Sequence, residues 1–148
     1  MKYLIFLALI LSSLLVFSGC VSEKSIDFET ISKETYDSRD VSVDYNLITN
    51  SSYFNLFWEN SYNSNKPLPE IDFSKDMVII VYLGQIGGCN SIKVDKVLET
   101  EDFLEIYVKE KIYDGNDMCI QAFWNQSEII KIPIINKPIA VIGANASN

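Results

Sequence analysis

The stretch from Asp76 to Leu83, which reads DMVIIVYL, is apolar almost without interruption once past its first residue, and Gly84 follows it. It is too short for an ordinary helix and the right length for a strand. An unbroken apolar run, in contrast to an alternating one, predicts a strand buried on both faces, so something must pack on each side of it.

The segments around it are also strand-like. Residues 26 to 36 alternate well enough for a strand, and Val41 to Ile48 reads as a second, with positions 41, 43, 45 and 47 on one face. Asn50, Ser51 and Ser52 then offer capping oxygens, and Phe54, Phe57 and Trp58 follow at helical spacing, which predicts a helix over 52–62. The prolines at 67 and 69 end it in a loop. Further on, 91–98 alternates with one break at Lys96, 103–110 makes another strand, Asp114 to Asp117 is a turn cluster, and 119–124 and 128–135 read as two more strands. Residues 136–148 are expected to form a loose tail. Many strands, short connections and one helix after the second strand predict an α+β domain, mainly an antiparallel β-sheet or sandwich, over residues 26–135.

Between the central run and the next strand lies Gly84 to Asn90, with glycines at 84, 87 and 88 and a cysteine at 89. The segment lacks the Gly-Lys-Ser/Thr ending of a phosphate-binding loop. Zinc would need about four ligands, and two cysteines thirty residues apart without a histidine do not supply them. Its structural reading is a turn: Gly87 and Gly88 permit positive φ, so 77–83 reverses into 91–98 as a hairpin.

The N-terminus bears on the cysteines. Lys2, an uncharged run from Tyr3 to Phe17 and the small residues Ser18 and Gly19 before Cys20 have the three parts of a secretory signal. Val16 to Cys20 resembles the lipobox of prokaryotic lipoproteins, which makes 1–19 a signal peptide, Cys20 the lipidated first residue and 20–25 a tether. Cleavage nearby by an ordinary signal peptidase and an uncleaved anchor are the alternatives. Export places Cys89 and Cys119 in an oxidising compartment, where a disulfide is the default and would contribute roughly 3–4 kcal/mol; the alternative is a reactive thiol, with no histidine anywhere to activate it. Export would also expose sequons at Asn50, Asn125 and Asn145 to glycosylation.

A formal charge of −8 argues against nucleic acid and anionic headgroups as partners, so membrane attachment would come from lipid alone. Acidic groups at Glu99, Glu101, Asp102 and at Asp114, Asp117 lack the oxygen ladder of an EF-hand. Serine catalysis has no histidine partner, which leaves a Ser-Lys arrangement open. Phe123 and Trp124 read as core or sheet edge. No residue is assigned to catalysis, and no cofactor or metal is expected.

One resemblance spans nearly all of 26–135. Trp58 at a helix end, Pro69 to Phe73, the apolar strand Met77 to Gly84, Gly87-Gly88 followed by Ser91-Ile92, the strand Phe103 to Val108 and Lys131-Ile132-Pro133 occur in the order and spacing of the C-terminal-domain family of the protease complex subunit PrcB. Cys89 stands where that family often has an aromatic residue, and Trp124 to Ser127 lacks its usual proline. The resemblance implies a non-catalytic extracytoplasmic domain that associates with a surface protease. The expectation is therefore a lipid-tethered accessory module, with partner contact at Gln85, Gly87, Gly88 and Asn90. Two alternatives stand beside it: a small extracytoplasmic hydrolase or ligand-binding lipoprotein, and a self-associating envelope protein.

Overall fold

The computed structural model describes residues 23–36, 44–60, 66–87, 90–111 and 123–143. Eight strands and one helix lie within them: β1 (Lys24–Ile26), β2 (Glu29–Tyr36), β3 (Asp44–Ile48), α1 (Ser51–Asn60), β4 (Asp76–Gly87), β5 (Ser91–Glu99), β6 (Leu104–Lys111), β7 (Phe123–Pro133) and β8 (Ile139–Ile142). They form an α+β sandwich of two four-stranded sheets, β1-β5-β6-β8 (sheet A) and β2-β7-β4-β3 (sheet B). All pairings are antiparallel except β6 with β8.

β4 has the two-sided burial its composition demands. Met77, Ile79, Val81 and Leu83 enter the core between the sheets with Ile92, Val94, Val97, Leu104, Ile106, Ile130 and Ile132. Val78 and Ile80 face the other way and pack with Ile48 and Ile129 beneath Phe54 and Trp58 of α1. The layers are therefore sheet A, sheet B and helix. The helix starts where its cap predicts: Asn50 Oδ1 accepts the Tyr53 amide at 2.8 Å, and Phe54 and Trp58, one turn apart, form its buried stripe.

The register shifts at three places in the sheets. In β4 the register slips between Tyr82 and Gly84, where Gly84 has φ +83°. The inward phase changes there: odd positions up to Leu83 face the core, and Ile86 does so afterwards. In β5 the slip falls between Val94 and Lys96, so Asp95 is the extra residue. This accounts for the break in alternation at Lys96, since Asp95 and Lys96 are both exposed and Val97 and Leu98 both buried. The third lies between Thr30 and Ser32 in β2.

Six expectations are corrected. Residues 26–36 are not one strand, because the chain leaves sheet A after Ile26 and enters sheet B at Glu29; the helix consequently follows the third strand rather than the second. Lys24 and Ser25, read as tether, belong to β1. β4 and β5 do not form a hairpin, since they lie in different sheets and the chain crosses between them from Gly87 to Asn90. The described part of the last two expected strands is a single strand, β7, running through Asn125 to Ser127. Ile139–Ile142, expected to be loose, add to sheet A parallel to β6; the chain returns there through β7 in the other sheet, the long crossover that parallel pairing requires. On β3 the apolar face is also offset: Ile48 is fully buried, while Leu47 is 40% exposed on this edge strand.

Candidate functional site

The polar half of β7 is the least expected feature of the core. Asn125, Ser127 and Glu128 are buried although they lie in a strand flanked on both sides by β2 and β4. Glu128, 1% exposed, points between the sheets, where it accepts the Thr30 hydroxyl at 2.7 Å and the Val94 amide at 2.8 Å, with Lys33 Nζ 3.5 Å away. Two residues earlier, Gln126 Oε1 accepts the Ile92 amide at 3.2 Å. These amides lie beyond the end of β1, which pairs with β5 only over Val97–Glu99. Side chains from sheet B thus satisfy backbone donors of sheet A where no neighbouring strand does so. Glu128 is engaged on both oxygens and acts as a clasp between the sheets.

A Ser-Lys contact does occur. Lys66 Nζ lies 3.4 Å from Ser32 Oγ, and the Lys66 carbonyl accepts the Trp58 indole N–H at 3.3 Å. Ser32 is 8% exposed and Lys66 is exposed. Nucleophilic use of such a pair needs a desolvated lysine beside a reachable hydroxyl. The exposures here are the reverse, so the contact fits the role of fastening the loop after α1 onto β2.

The outer face of sheet A is different in kind. Lys93 sits directly opposite Lys109 across the β5–β6 pair, and Lys111 follows on the same face. All three are exposed. With Asp95 and Glu110 they line a shallow hollow of about 450 Å³. Ion pairs hold Lys24 and Lys137 to Glu99, Lys75 to Asp72, and Lys131 to Glu29. Among the described residues, none joins Lys93, Lys109 or Lys111 to a carboxylate. On the opposite pleat Glu110 lies across from buried Ile92, and Asn90 Nδ2 donates to its Oε1 at 2.9 Å. Further along the face, Lys96 Nζ sits 4.2 Å from the centre of the Tyr107 ring, whose hydroxyl donates to Glu105 at 2.7 Å and is thereby held protonated, its pKa raised.

The residues singled out from sequence are scattered. Gln85 is exposed on β4, Gly87 pairs with Phe123 at the end of that strand, and Asn90 is half-buried beside Glu110. Asn50 is the exposed helix cap. Asn125 is 9% exposed within a central strand, where a glycan has no room, so it is withdrawn as an acceptor in the folded domain. Cys20, Gly88, Cys89, Cys119 and Asn145 lie outside the described residues, as do Asp114 and Asp117. Glu99 is bound to Lys137 at 3.0 Å and to Lys24 at 3.6 Å, its pKa lowered mainly by Lys137, while Glu101 and Asp102 are exposed on the turn. Among the described residues, no three metal-ligating side chains gather. The sequence reading missed the lysine face and the Glu128 clasp; alternation had placed Lys93 outward, but only strand register brings Lys109 opposite it.

Comparison of the chain with protein-family models, with curated proteins and with solved structures finds no match.

Proposed function

We propose that the protein is an exported, lipid-tethered, non-catalytic accessory module that docks another envelope protein. The observation that carries this reading is the open outer face of sheet A, with three lysines that make no ion pair among the described residues, in a chain with an excess of acidic residues. Like charges placed directly across two strands destabilise the pair. Their presence on an exposed face is consistent with a surface that meets something negative. A surface protease is the partner class implied by the resemblance of Trp58, Pro69–Phe73 and the β4 segment to the PrcB C-terminal domain.

Anchoring through Cys20 follows from the lipobox-like end of the signal sequence. The Cys89–Cys119 bridge is supported by register. Gly87 pairs with Phe123 at one end of β4 and β7, and the two cysteines stand two residues after the first and four before the second in sequence.

Site-specific photocrosslinking in native membranes tests the docking role. A crosslinker at Lys96 on the open face is expected to give one discrete protein adduct, and one at Leu56 on the exposed side of α1 is expected to give none. Equal labelling from both positions, or none from either, would remove the basis for the reading. Mass measurement of the mature chain checks the lipid on Cys20 and the loss of two hydrogens for the bridge.

A further inference from the structure

We infer that the lysine face takes a carboxylate-bearing, extended segment of its partner protein. This rests on the docking role above and adds the ligand chemistry.

Geometry narrows the ligand. Directly opposed residues on antiparallel strands stand about 5 Å apart, and alternate residues on one strand about 7 Å. Lys93, Lys109 and Lys111 therefore present separated ammonium groups rather than one tight cradle around a single anion. Side chains on one side of an extended peptide repeat at the same interval of about 7 Å, so alternate Glu or Asp residues match the spacing. Lysines are flexible point charges without the planar fork of arginine, which suits single carboxylates more than bidentate capture.

The acidic members of the hollow select further. Asp95 is exposed beside the lysines, Glu110 borders the hollow from the opposite pleat, across from buried Ile92, and the chain as a whole carries −8. Both features repel a uniformly anionic polymer such as a polyphosphate, which has no donors to offer in return. A peptide carries backbone N–H groups that can donate to Asp95, along with carboxylates for the lysines. Lys96, seated on Tyr107, extends the positive face along the strand.

Titration of the full chain in detergent with an eight-residue peptide alternating Glu and Ser tests the inference, with a Gln-for-Glu peptide and polyphosphate as competing probes. The Glu peptide is expected to bind and to weaken as salt rises, since exposed charges are screened over about 10 Å at 0.1 M. The Lys93→Gln/Lys109→Gln variant is expected to lose roughly tenfold in affinity, the scale of two exposed ion pairs, with an unchanged melting temperature. Lys24→Gln, which removes the ion pair to Glu99 outside the hollow, is expected to bind as the parent does. Absence of Glu-peptide binding at low salt, binding unaffected by the double variant, or tighter binding of polyphosphate would overturn it. An adduct at Lys96 with no affinity for the Glu peptide would sink the ligand chemistry and leave docking standing. Peptide binding without any adduct would sink docking and leave the anion site.

Discussion

Sheet B is packed on both sides, by sheet A and by α1, whereas sheet A has one packed face and an outer face that the described helix does not reach. The strands differ accordingly. β4 is apolar on both pleats from Met77 to Leu83; β5 and β6 alternate, with Lys93 and Lys109 outward and Val94 and Val108 inward. The buried positions of sheet B are packed on one face or the other, and substitution there disturbs packing. Around Lys93, Lys109 and Lys111 the outer face of sheet A is exposed, so the side chains there are free to serve recognition. On the proposed reading, stability and binding are divided between the two sheets, and this division can be tested by measuring each property on the other's surface.

The largest effect is expected from Phe54→Ala, which empties the contact between α1 and sheet B. Phe54 is fully buried, with its ring centroid 5.7 Å from that of Trp58 and 5.8 Å from that of Phe73. A loss of about 3–5 kcal/mol in chemical denaturation is the outcome anticipated; a loss under 1 kcal/mol would mean that the helix does not seal sheet B. Glu128→Ala should cost about 1–3 kcal/mol, because the Val94 amide and the Thr30 hydroxyl lose their acceptor between the sheets. Hydrogen exchange at Val94 should quicken more than exchange at Val97, which lies where β1 still pairs.

Gly84→Ala should cost about 1–2 kcal/mol through backbone strain alone, as φ is +83° and no atom lies within 4 Å of the added methyl carbon. A larger loss would point to steric crowding that the structure does not contain. Lys93→Gln is expected to leave the melting temperature unchanged or raise it slightly, since it relieves the repulsion with Lys109. A clear fall would show that the open face has a structural duty after all.

The smallest effect concerns acid. Asp72 is held at a pKa of about 2, below its ordinary 3.8, by the Lys75 side chain and then by Ser74. A carboxyl depressed by folding contributes stability above its unfolded pKa and loses it as pH falls through the folded value. The contribution should therefore be complete above about pH 4 and vanish toward pH 2. Melting curves of Asp72→Asn should differ from those of the parent at pH 5 and converge with them at pH 2; Asp72 is exposed, so the difference is small.

Local patterns reported local facts well. The apolar run in β4 announced burial on two faces, the Asn50 cap and the Phe54–Trp58 stripe announced α1, and the break at Lys96 was the trace of the Asp95 bulge. Sheet membership was not legible. Alternation from Ile26 to Tyr36 continues while the chain changes sheet, because a pleat has the same period in either one. The polar stretch Asn125 to Ser127 looked like a break for a similar reason, and Glu128 just after it is tolerable in a core only because Thr30, Lys33 and Val94, distant in sequence, converge on it. The lysine face was hidden too, since one lysine on each of two alternating strands is ordinary until register sets them opposite.

What the sequence determined by itself was the identity of most elements and the side of each that seeks cover, because periodicity and capping are short-range chemistry carried by neighbours along the chain. What only the tertiary structure decided was which sheet each strand joins, that β4 and β5 part instead of pairing, and that Lys93 meets Lys109 while Glu128 clasps β5. Those outcomes depend on register and on contacts between residues far apart in the chain. The free energies that select them come from packing and hydrogen bonding across space, which no local pattern encodes.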